Sequence, residues 1–173
     1  MRVAIDASVL AYLFDGQVSA PVGPDGQVIG DCKERVEHLV AELQQSKATL
    51  IVPAPALAEI LVYAGAAAPD WLATLTGVRC CRIAAFDTLA AIECADLARE
   101  RMIHGPTSDV SKRKAKFDEQ IVAIALVERA DEILTDDDHI RKLAGTRLTV
   151  RGVADLPLPP QSQQKSLFPS DPE

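Results

Sequence analysis

The chain has 173 residues, 48% of them hydrophobic and only 4% aromatic, and it carries a net charge of −7. This length predicts one domain with a sizeable core, and the acidic balance argues against a protein that coats nucleic acid through bulk positive charge. Because no N-terminal segment resembles a signal peptide and no stretch approaches the ~20 apolar residues of a membrane span, we expect a cytoplasmic location. The four cysteines lack the paired spacing of a metal site, which favours reduced thiols.

In the first half of the chain, short apolar runs alternate with helical patterns. We predict strands over residues 3–5, 50–52 and 78–83. Helices are predicted over residues 7–14, from Asp31 to about residue 47, from Pro53, from Pro69, and from Asp87 to about residue 101. Residues 15–30 are rich in Gly and Pro, so we predict a loop or an insertion there.

The second half continues the alternation after a polar segment at residues 104–115. The pattern predicts a helix over 117–129, a strand over 132–135, a helix over 138–143 and a last strand over 147–150. Strands that alternate with helices imply an α/β fold, with a central, mostly parallel sheet covered by helices on both faces. We assign residues 1–153 to this domain and predict that the Pro-rich tail at 154–173 is disordered.

Four acidic residues lie far apart in the sequence, at or near the ends of these predicted elements: Asp6, Glu59, Asp118 and Asp137. In a parallel sheet the ligand crevice lies outside the carboxyl ends of the strands, so acids in such positions usually line one crevice. Two carboxylates ~4 Å apart repel by about 4 kcal/mol at an effective dielectric of about 20. A hard divalent cation such as Mg²⁺ removes that repulsion and prefers oxygen ligands. The pattern therefore favours a small metal-dependent enzyme.

Each acid also has a structural explanation. Asp6 could cap the helix that follows it, and Asp118 lies near the predicted start of its own helix, where a negative charge suits the helix dipole. The acidic triplet at residues 136–138 could cap the next helix. Glu59 is harder to explain in this way because it lies in a largely apolar stretch. The metal hypothesis therefore depends on the convergence of all four side chains.

One basic run directly precedes the third acid and consists of Lys112, Arg113, Lys114 and Lys116. It could be a solvated loop, or it could steer a phosphate backbone toward the acids. His139 lies close to the acids in sequence and could contact substrate, whereas His38 and His104 are predicted to be surface residues. The tail segment QKSLF at 164–168 resembles the pentapeptide by which bacterial proteins bind the DNA sliding clamp, with an unstructured end as the simpler interpretation.

The acids and their neighbours resemble the PIN-domain nuclease family, which includes the VapC-type toxins. The matching segments are IDAS with Asp6, PALAEIL with Glu59, KFDEQIVAIA with Asp118 and ILTDDDHIRKLA with Asp137. Each segment is a weak signal by itself. Four segments in the family's order, over residues 1 to about 150, form a fairly specific signal.

The resemblance implies a three-layer α/β/α sandwich and Mg²⁺- or Mn²⁺-dependent hydrolysis of RNA phosphodiester bonds. The residues that it assigns to an acidic quartet, as catalytic groups and as metal ligands, are Asp6, Glu59, Asp118 and Asp137. It also gives Ser8 and Thr135 the role of holding the ligands in place. We prefer Asp137 over the alternative ligands Asp136 and Asp138 because it lies two residues after Thr135. The basic run becomes a candidate for binding the RNA substrate.

The resemblance also implies partners, namely a second copy of the chain in a homodimer and, for the toxin of a type II toxin–antitoxin pair, a cognate antitoxin protein. Two other functions remain open. One is a catalytically inactive metal- or RNA-binding adapter with the same fold. The other is a phosphoryl-transfer domain of the receiver or haloacid-dehalogenase type. The dehalogenase type expects a second acid two residues after the first, where this chain has Ser8, and a receiver expects a late strand-end lysine that the sequence does not show.

Overall fold

The computed structural model describes residues 1–15, 17–23, 26–103 and 112–160, apart from the side chains of residues 112 and 113. The strands are β1 (Arg2–Ile5), β2 (Thr49–Pro53), β3 (Cys81–Ala84), β4 (Glu132–Leu134) and β5 (Thr149–Arg151). The α-helices of the described residues are α1 (Ala7–Leu10), α2 (Cys32–Gln45), α3 (Ala54–Ala64), α4 (Ala68–Gly77), α5 (Thr88–Ile103), α6 (Lys112–Val127) and α7 (Asp138–Ala144). Short 3₁₀ turns lie at Ala11–Leu13, Gly65–Ala67 and Val153–Asp155.

The five strands form one parallel sheet in the order β3–β2–β1–β4–β5, with β1 at its centre. Ala4 of β1 pairs with Ile51 of β2 on one side and with Ile133 of β4 on the other. With its helices the sheet makes a three-layer α/β/α sandwich, so the predicted fold class is confirmed.

The central strands form from continuous apolar runs. Val3, Ala4 and Ile5 of β1 are completely buried, as are Ile133 and Leu134 of β4. Strands of parallel sheets covered by helices have this composition because neither face of the sheet is exposed to water. Since β1 and β4 are neighbours, the residues that follow them are neighbours too, and the acids at these two strand ends must lie close together.

Helix α6 begins at Lys112, five residues before the predicted start at 117. The interpretation of the basic run as a solvated loop is therefore wrong, because its residues are helical. Lysine, arginine and alanine are good helix formers, so the basic run extends the helix when no glycine or proline interrupts it. As a result, Asp118 lies in the second turn of α6 and not near its start.

Two predicted helix caps have different outcomes. Asp87 caps α5, because its Oδ1 accepts the N–H of Ala90 at 2.9 Å. Asp31 precedes α2, but its φ is 57° and its side chain makes no capping hydrogen bond. The predicted Asp31 cap is wrong because a capping residue needs extended backbone to aim its oxygen at the first turn. The strand predicted over 78–83 pairs only from Cys81, since residues 78–80 form a turn.

The folded part continues beyond residue 153, where the sequence analysis placed the domain boundary. Leu156 is only 1% exposed, and its carbonyl accepts a hydrogen bond from Arg35 of α2. Residues 104–111, with His104, and residues 161–173, with the clamp-like segment, lie outside the described residues. All four cysteines are unpaired. Among the described helices, none combines the length and apolar character needed to cross a membrane.

Candidate active site

One cleft of about 820 Å³ lies outside the carboxyl ends of β1 and β4. The acids that line it are Asp6, Glu59, Asp118, Asp136 and Asp137. They come from four separate segments: the end of β1, helix α3, helix α6 and the loop between β4 and α7. The structure therefore brings the four predicted carboxylates to one cleft, together with the alternative residue Asp136.

Asp6 and Asp118 are the most buried carboxylates of the cleft, each with 4% of its surface exposed. The Oδ2 of Asp6 accepts hydrogen bonds from the Ser8 hydroxyl at 2.8 Å and from the Thr135 hydroxyl at 3.0 Å. Burial raises the pKa of Asp6, while the hydrogen bonds from Ser8, Ala7 and Thr135 act in the opposite direction. Asp6 also accepts the Ser8 N–H at 3.4 Å as the N-cap of α1, so the capping role and the cleft position coexist.

The loop after β4 is fixed by the same two hydroxyl groups. The Ser8 oxygen accepts the N–H of Asp136 at 3.1 Å, and the Thr135 oxygen accepts the N–H of Asp137 at 3.0 Å. Each hydroxyl thus donates to Asp6 and accepts from the loop backbone. The two strand ends are joined by side chains in addition to the sheet, which sets the separation between Asp6 and Asp137.

Asp137 caps α7 and also binds an ammonium group. Its Oδ1 accepts the N–H groups of His139 at 2.7 Å and Ile140 at 3.3 Å, while its Oδ2 accepts from Lys114 Nζ at 2.5 Å. Burial alone would raise the pKa of Asp137, but the bonds from Lys114 and the His139 N–H outweigh it and lower that pKa. Asp137 is therefore the most readily ionised of the five acids, because the pKa values of the other four are raised.

Asp118 forms a buried pair with His139. The Asp118 Oδ2 and His139 Nδ1 atoms lie 2.7 Å apart, and the two side chains are 6% and 11% exposed. Burial raises the pKa of Asp118, the bond to His139 opposes that shift, and the negative charge of Asp137 adds to it. An ionised Asp118 requires the proton on His139 Nδ1, so this pair fixes both the ring and the carboxylate.

Glu59 reaches the cleft from α3 and is more exposed than the other members of the quartet. Partial burial raises its pKa, and the negative charges of Asp6 and Asp118 raise it further. The charge of Asp137 acts in the same direction, against the ammonium of Lys114. Glu59 therefore lies within electrostatic reach of the other three quartet carboxylates.

The three consecutive aspartates point in different directions. Asp136 Oδ1 accepts the N–H of Val153 at 2.9 Å, whereas its buried Oδ2 has no hydrogen-bond partner among the described residues. Burial raises the pKa of Asp136. Asp138 is exposed and does not line the cleft. Close packing fixes Asp136 as well, since a Cβ added to Gly152 would lie 2.6 Å from its Oδ1.

Among the described side chains of the basic run, Lys114 reaches the cleft and Lys116, which is exposed, does not. The side chains of Lys112 and Arg113 lie outside the described part of the structure. Since all four residues belong to α6, a helix that also carries Asp118, the run is a helical extension next to the acids and not a free loop.

No protein-family model matches the sequence, and no curated protein resembles it at the sequence level. The fold, in contrast, is shared with solved structures. VapBC of Salmonella typhimurium, bound to DNA, has a TM-score of 0.60 and 15% identity over 88% of this chain and 98% of that one. VapBC2 of Rickettsia felis, bound to a promoter DNA fragment, has a TM-score of 0.58 with the same identity and coverage.

A third structure is VapC20 of Mycobacterium tuberculosis, described as a sarcin–ricin loop cleaving toxin. It has a TM-score of 0.50 and 16% identity over 83% of this chain and 95% of that one. The fold is that of the PIN domain. At these identities the likeness establishes the fold alone, and the chemistry of this PIN fold must be argued from its own residues.

A PIN fold with an acidic cleft raises the question of a divalent cation. The donor chemistry fits, because Mg²⁺ and Mn²⁺ prefer carboxylate oxygens and the cleft supplies several. The arrangement is less complete, since the described residues contain no group of three Asp, Glu, His or Cys side chains placed to hold one ion. Two of the four carboxylates have internal partners instead, Lys114 for Asp137 and His139 for Asp118.

The cleft also has an apolar wall, which was not predicted from the sequence. Val62, Tyr63 and Phe117 line it and are 83%, 58% and 46% exposed. Helical spacing was the available signal, because Val62 and Tyr63 follow Glu59 by three and four positions and therefore share its face of α3. Phe117 directly precedes Asp118 on α6. The cleft thus combines a cluster of acids with exposed aromatic surface.

Proposed function

We propose that this protein is a Mg²⁺- or Mn²⁺-dependent endoribonuclease that hydrolyses RNA phosphodiester bonds. The observation that carries the proposal is the meeting of Asp6, Glu59, Asp118 and Asp137, from four separate segments, in one cleft of a PIN fold. The description of VapC20 as a loop-cleaving toxin supports a nuclease role for this fold.

The four quartet carboxylates would hold the cation. When bound, it would lower the pKa of an attacking water and neutralise charge on the phosphate. Hydrogen bonds from neighbouring groups hold two of these carboxylates in position. Ser8 and Thr135 hold Asp6 at a fixed position, and the first turn of α7 holds Asp137.

Asp118 is the strongest candidate for orienting the attacking water. His139 fixes its carboxylate from one side at 2.7 Å, so its orientation in the cleft is set before a water binds. Asp137 is the second candidate. On the apolar wall, Tyr63 and Phe117 offer exposed rings on which nucleobases can stack, and such contacts contribute about 1–3 kcal/mol per base.

The test is cleavage of labelled RNA with and without Mn²⁺ by the wild type, Asp137→Asn and Asp138→Asn. Asp138 is a matched control because it is the adjacent acid, exposed and outside the cleft. We expect Mn²⁺-dependent cleavage by the wild type and Asp138→Asn, and a loss of about 100-fold or more in Asp137→Asn. Cleavage that survives Asp137→Asn, or that needs no divalent cation, would refute the proposal.

One observation favours the second candidate, an inactive adapter that binds RNA or a metal without turnover. Among the described residues, no group of three Asp, Glu, His or Cys side chains is placed to hold one ion. RNA binding by the wild type without cleavage at any Mn²⁺ concentration would support the adapter. The phosphoryl-transfer alternative is weaker, because the residue two positions after Asp6 is Ser8, whose hydroxyl donates to that acid.

We further propose that the protein is the toxin of a toxin–antitoxin pair and that a cognate antitoxin covers the cleft. The neighbours in fold include VapBC and FitAB complexes, and the exposed Val62, Tyr63 and Phe117 suit an apolar partner segment. Co-expression with the product of a small adjacent reading frame should block RNA cleavage.

We also propose a homodimer, which light scattering tests. Exposed apolar residues of α5 that could contribute to its interface are Leu89, Ile92, Met102 and Ile103.

A further inference from the structure

The cleft carries an unbalanced charge. Five acids line it, and Lys114 is the one cationic side chain among its described lining residues. The Lys114 ammonium lies 2.5 Å from Asp137 Oδ2. The ammonium is therefore paired directly with Asp137, inside a cleft whose other described charged lining residues are all acids.

Lys114 and the first turn of α7 together hold the Asp137 carboxylate. Asp137 Oδ1 is engaged by the first turn of α7, and its Oδ2 is engaged by the ammonium, so both of its oxygens have partners. A cation coordinated by Oδ2 would lie next to the Lys114 ammonium, and the two positive charges would repel each other. The helix caps cannot leave without unwinding α7, whereas the Lys114 side chain, 54% exposed, can swing into water.

We propose that Lys114 is the internal counter-cation of the acid cleft, and that a divalent cation binds only by displacing its ammonium from Asp137. This inference rests on the proposed metal dependence, which it deepens by naming the residue that sets the cation affinity. Lys114 then acts as a positioning residue: it offsets part of the negative charge of the metal-free cleft and competes with the metal at one carboxylate oxygen.

The experiment measures Mn²⁺ binding calorimetrically to the wild type, Lys114→Gln and Lys116→Gln. Lys116 is a matched control because it lies two positions further on the same helix, is exposed and does not line the cleft. Both substitutions remove one positive charge. We expect Lys114→Gln to bind Mn²⁺ about three- to ten-fold more tightly than the wild type. In this variant no ion pair with Asp137 has to be broken, and no ammonium group repels the metal ion. Lys116→Gln should stay within about two-fold.

Thermal denaturation gives a second measurement that does not depend on catalysis. Without metal, Lys114→Gln should melt about 2 °C below Lys116→Gln, because the acids then lack their counter-cation. Saturating Mn²⁺ should remove this difference, since the metal takes over the neutralising role.

Two results would overturn the inference. If the wild type binds Mn²⁺ and Lys114→Gln binds no more tightly than Lys116→Gln, the counter-cation role of Lys114 is wrong while the proposed metal dependence stands. If none of the three proteins binds Mn²⁺, the metal dependence fails and this inference fails with it. The two failures are therefore distinguishable.

Discussion

Thr135→Val tests whether the two strand ends are joined in the way the structure indicates. Thr135 is completely buried, and its hydroxyl donates to Asp6 Oδ2 at 3.0 Å and accepts the N–H of Asp137 at 3.0 Å. Valine has nearly the same shape but neither function. A buried N–H left without a partner costs about 1–3 kcal/mol, and a lost hydrogen bond to a carboxylate costs about 1.5–3 kcal/mol.

Because Ser8 still donates to Asp6, we expect the two costs to overlap and the free energy of unfolding to fall by about 2–4 kcal/mol. For a chain of this length the midpoint temperature should fall by about 5–12 °C. Urea and thermal denaturation without metal measure the effect. Thr149→Val, at an exposed position of β5, is the control and should stay within about 0.5 kcal/mol of the wild type. A loss below ~0.5 kcal/mol in Thr135→Val would refute the bridging role of this hydroxyl.

Three further changes test other parts of the structure. Gly152→Ala should destabilise the fold by about 1–3 kcal/mol in urea denaturation, because its methyl group would lie 2.6 Å from a carboxylate oxygen that already accepts a backbone N–H. Glu59→Gln should stabilise the metal-free protein at pH 7, because the folded-state pKa of Glu59 is raised and its charge therefore disfavours the fold above the unfolded-state pKa. In a series of melts at different pH, that gain in stability should shrink as the pH falls through the folded-state pKa of Glu59 toward its unfolded-state pKa. Arg101→Met should lower the free energy of unfolding by about 3–5 kcal/mol, because it leaves the Glu119 carboxylate, whose side chain is 2% exposed, without its ion-pair partner. Replacing both residues with Met should recover most of this loss.

Each of these changes has a matched control with a smaller expected effect. Gly77→Ala places its methyl group in open space at the end of α4 and should be neutral or slightly stabilising. Glu93→Gln removes a charge on α5 away from the cleft. Arg147→Met breaks an exposed ion pair with Glu100 and should cost less than ~1 kcal/mol. A control that matched its test variant would contradict the corresponding explanation.

The fold was predictable from local sequence because its signals are local. The continuous apolar runs at β1, β2 and β4 indicate strands buried on both faces, and the helical patterns between them indicate parallel crossovers. The errors occur where local signals conflict. The charged start of α6 was interpreted as a possible loop, although its residues favour a helix. Asp31 is of a residue type that often caps helices, but its backbone is left-handed.

The acids of the cleft were predictable in part for a related reason. Asp6 and Asp137 follow strands, and the carboxyl ends of parallel strands lie on one edge of the sheet. Glu59 and Asp118 lie within helices, where the sequence gives no direction for the side chain. Their arrival at the same cleft was a hypothesis carried by the family resemblance, and the structure places both on its wall.

By itself, then, the sequence determined the alternation of elements, the parallel sheet and the position of two acids at its edge. These features follow from hydrophobic periodicity and from the alternation of strands with helices, which are local patterns in the sequence. Only the tertiary structure decided which groups hold those acids. Lys114 meets Asp137 across 23 positions and His139 meets Asp118 across 21. Such contacts depend on how α6 packs beside α7, to within a few tenths of an ångström, and no spacing along the chain encodes a distance of that kind.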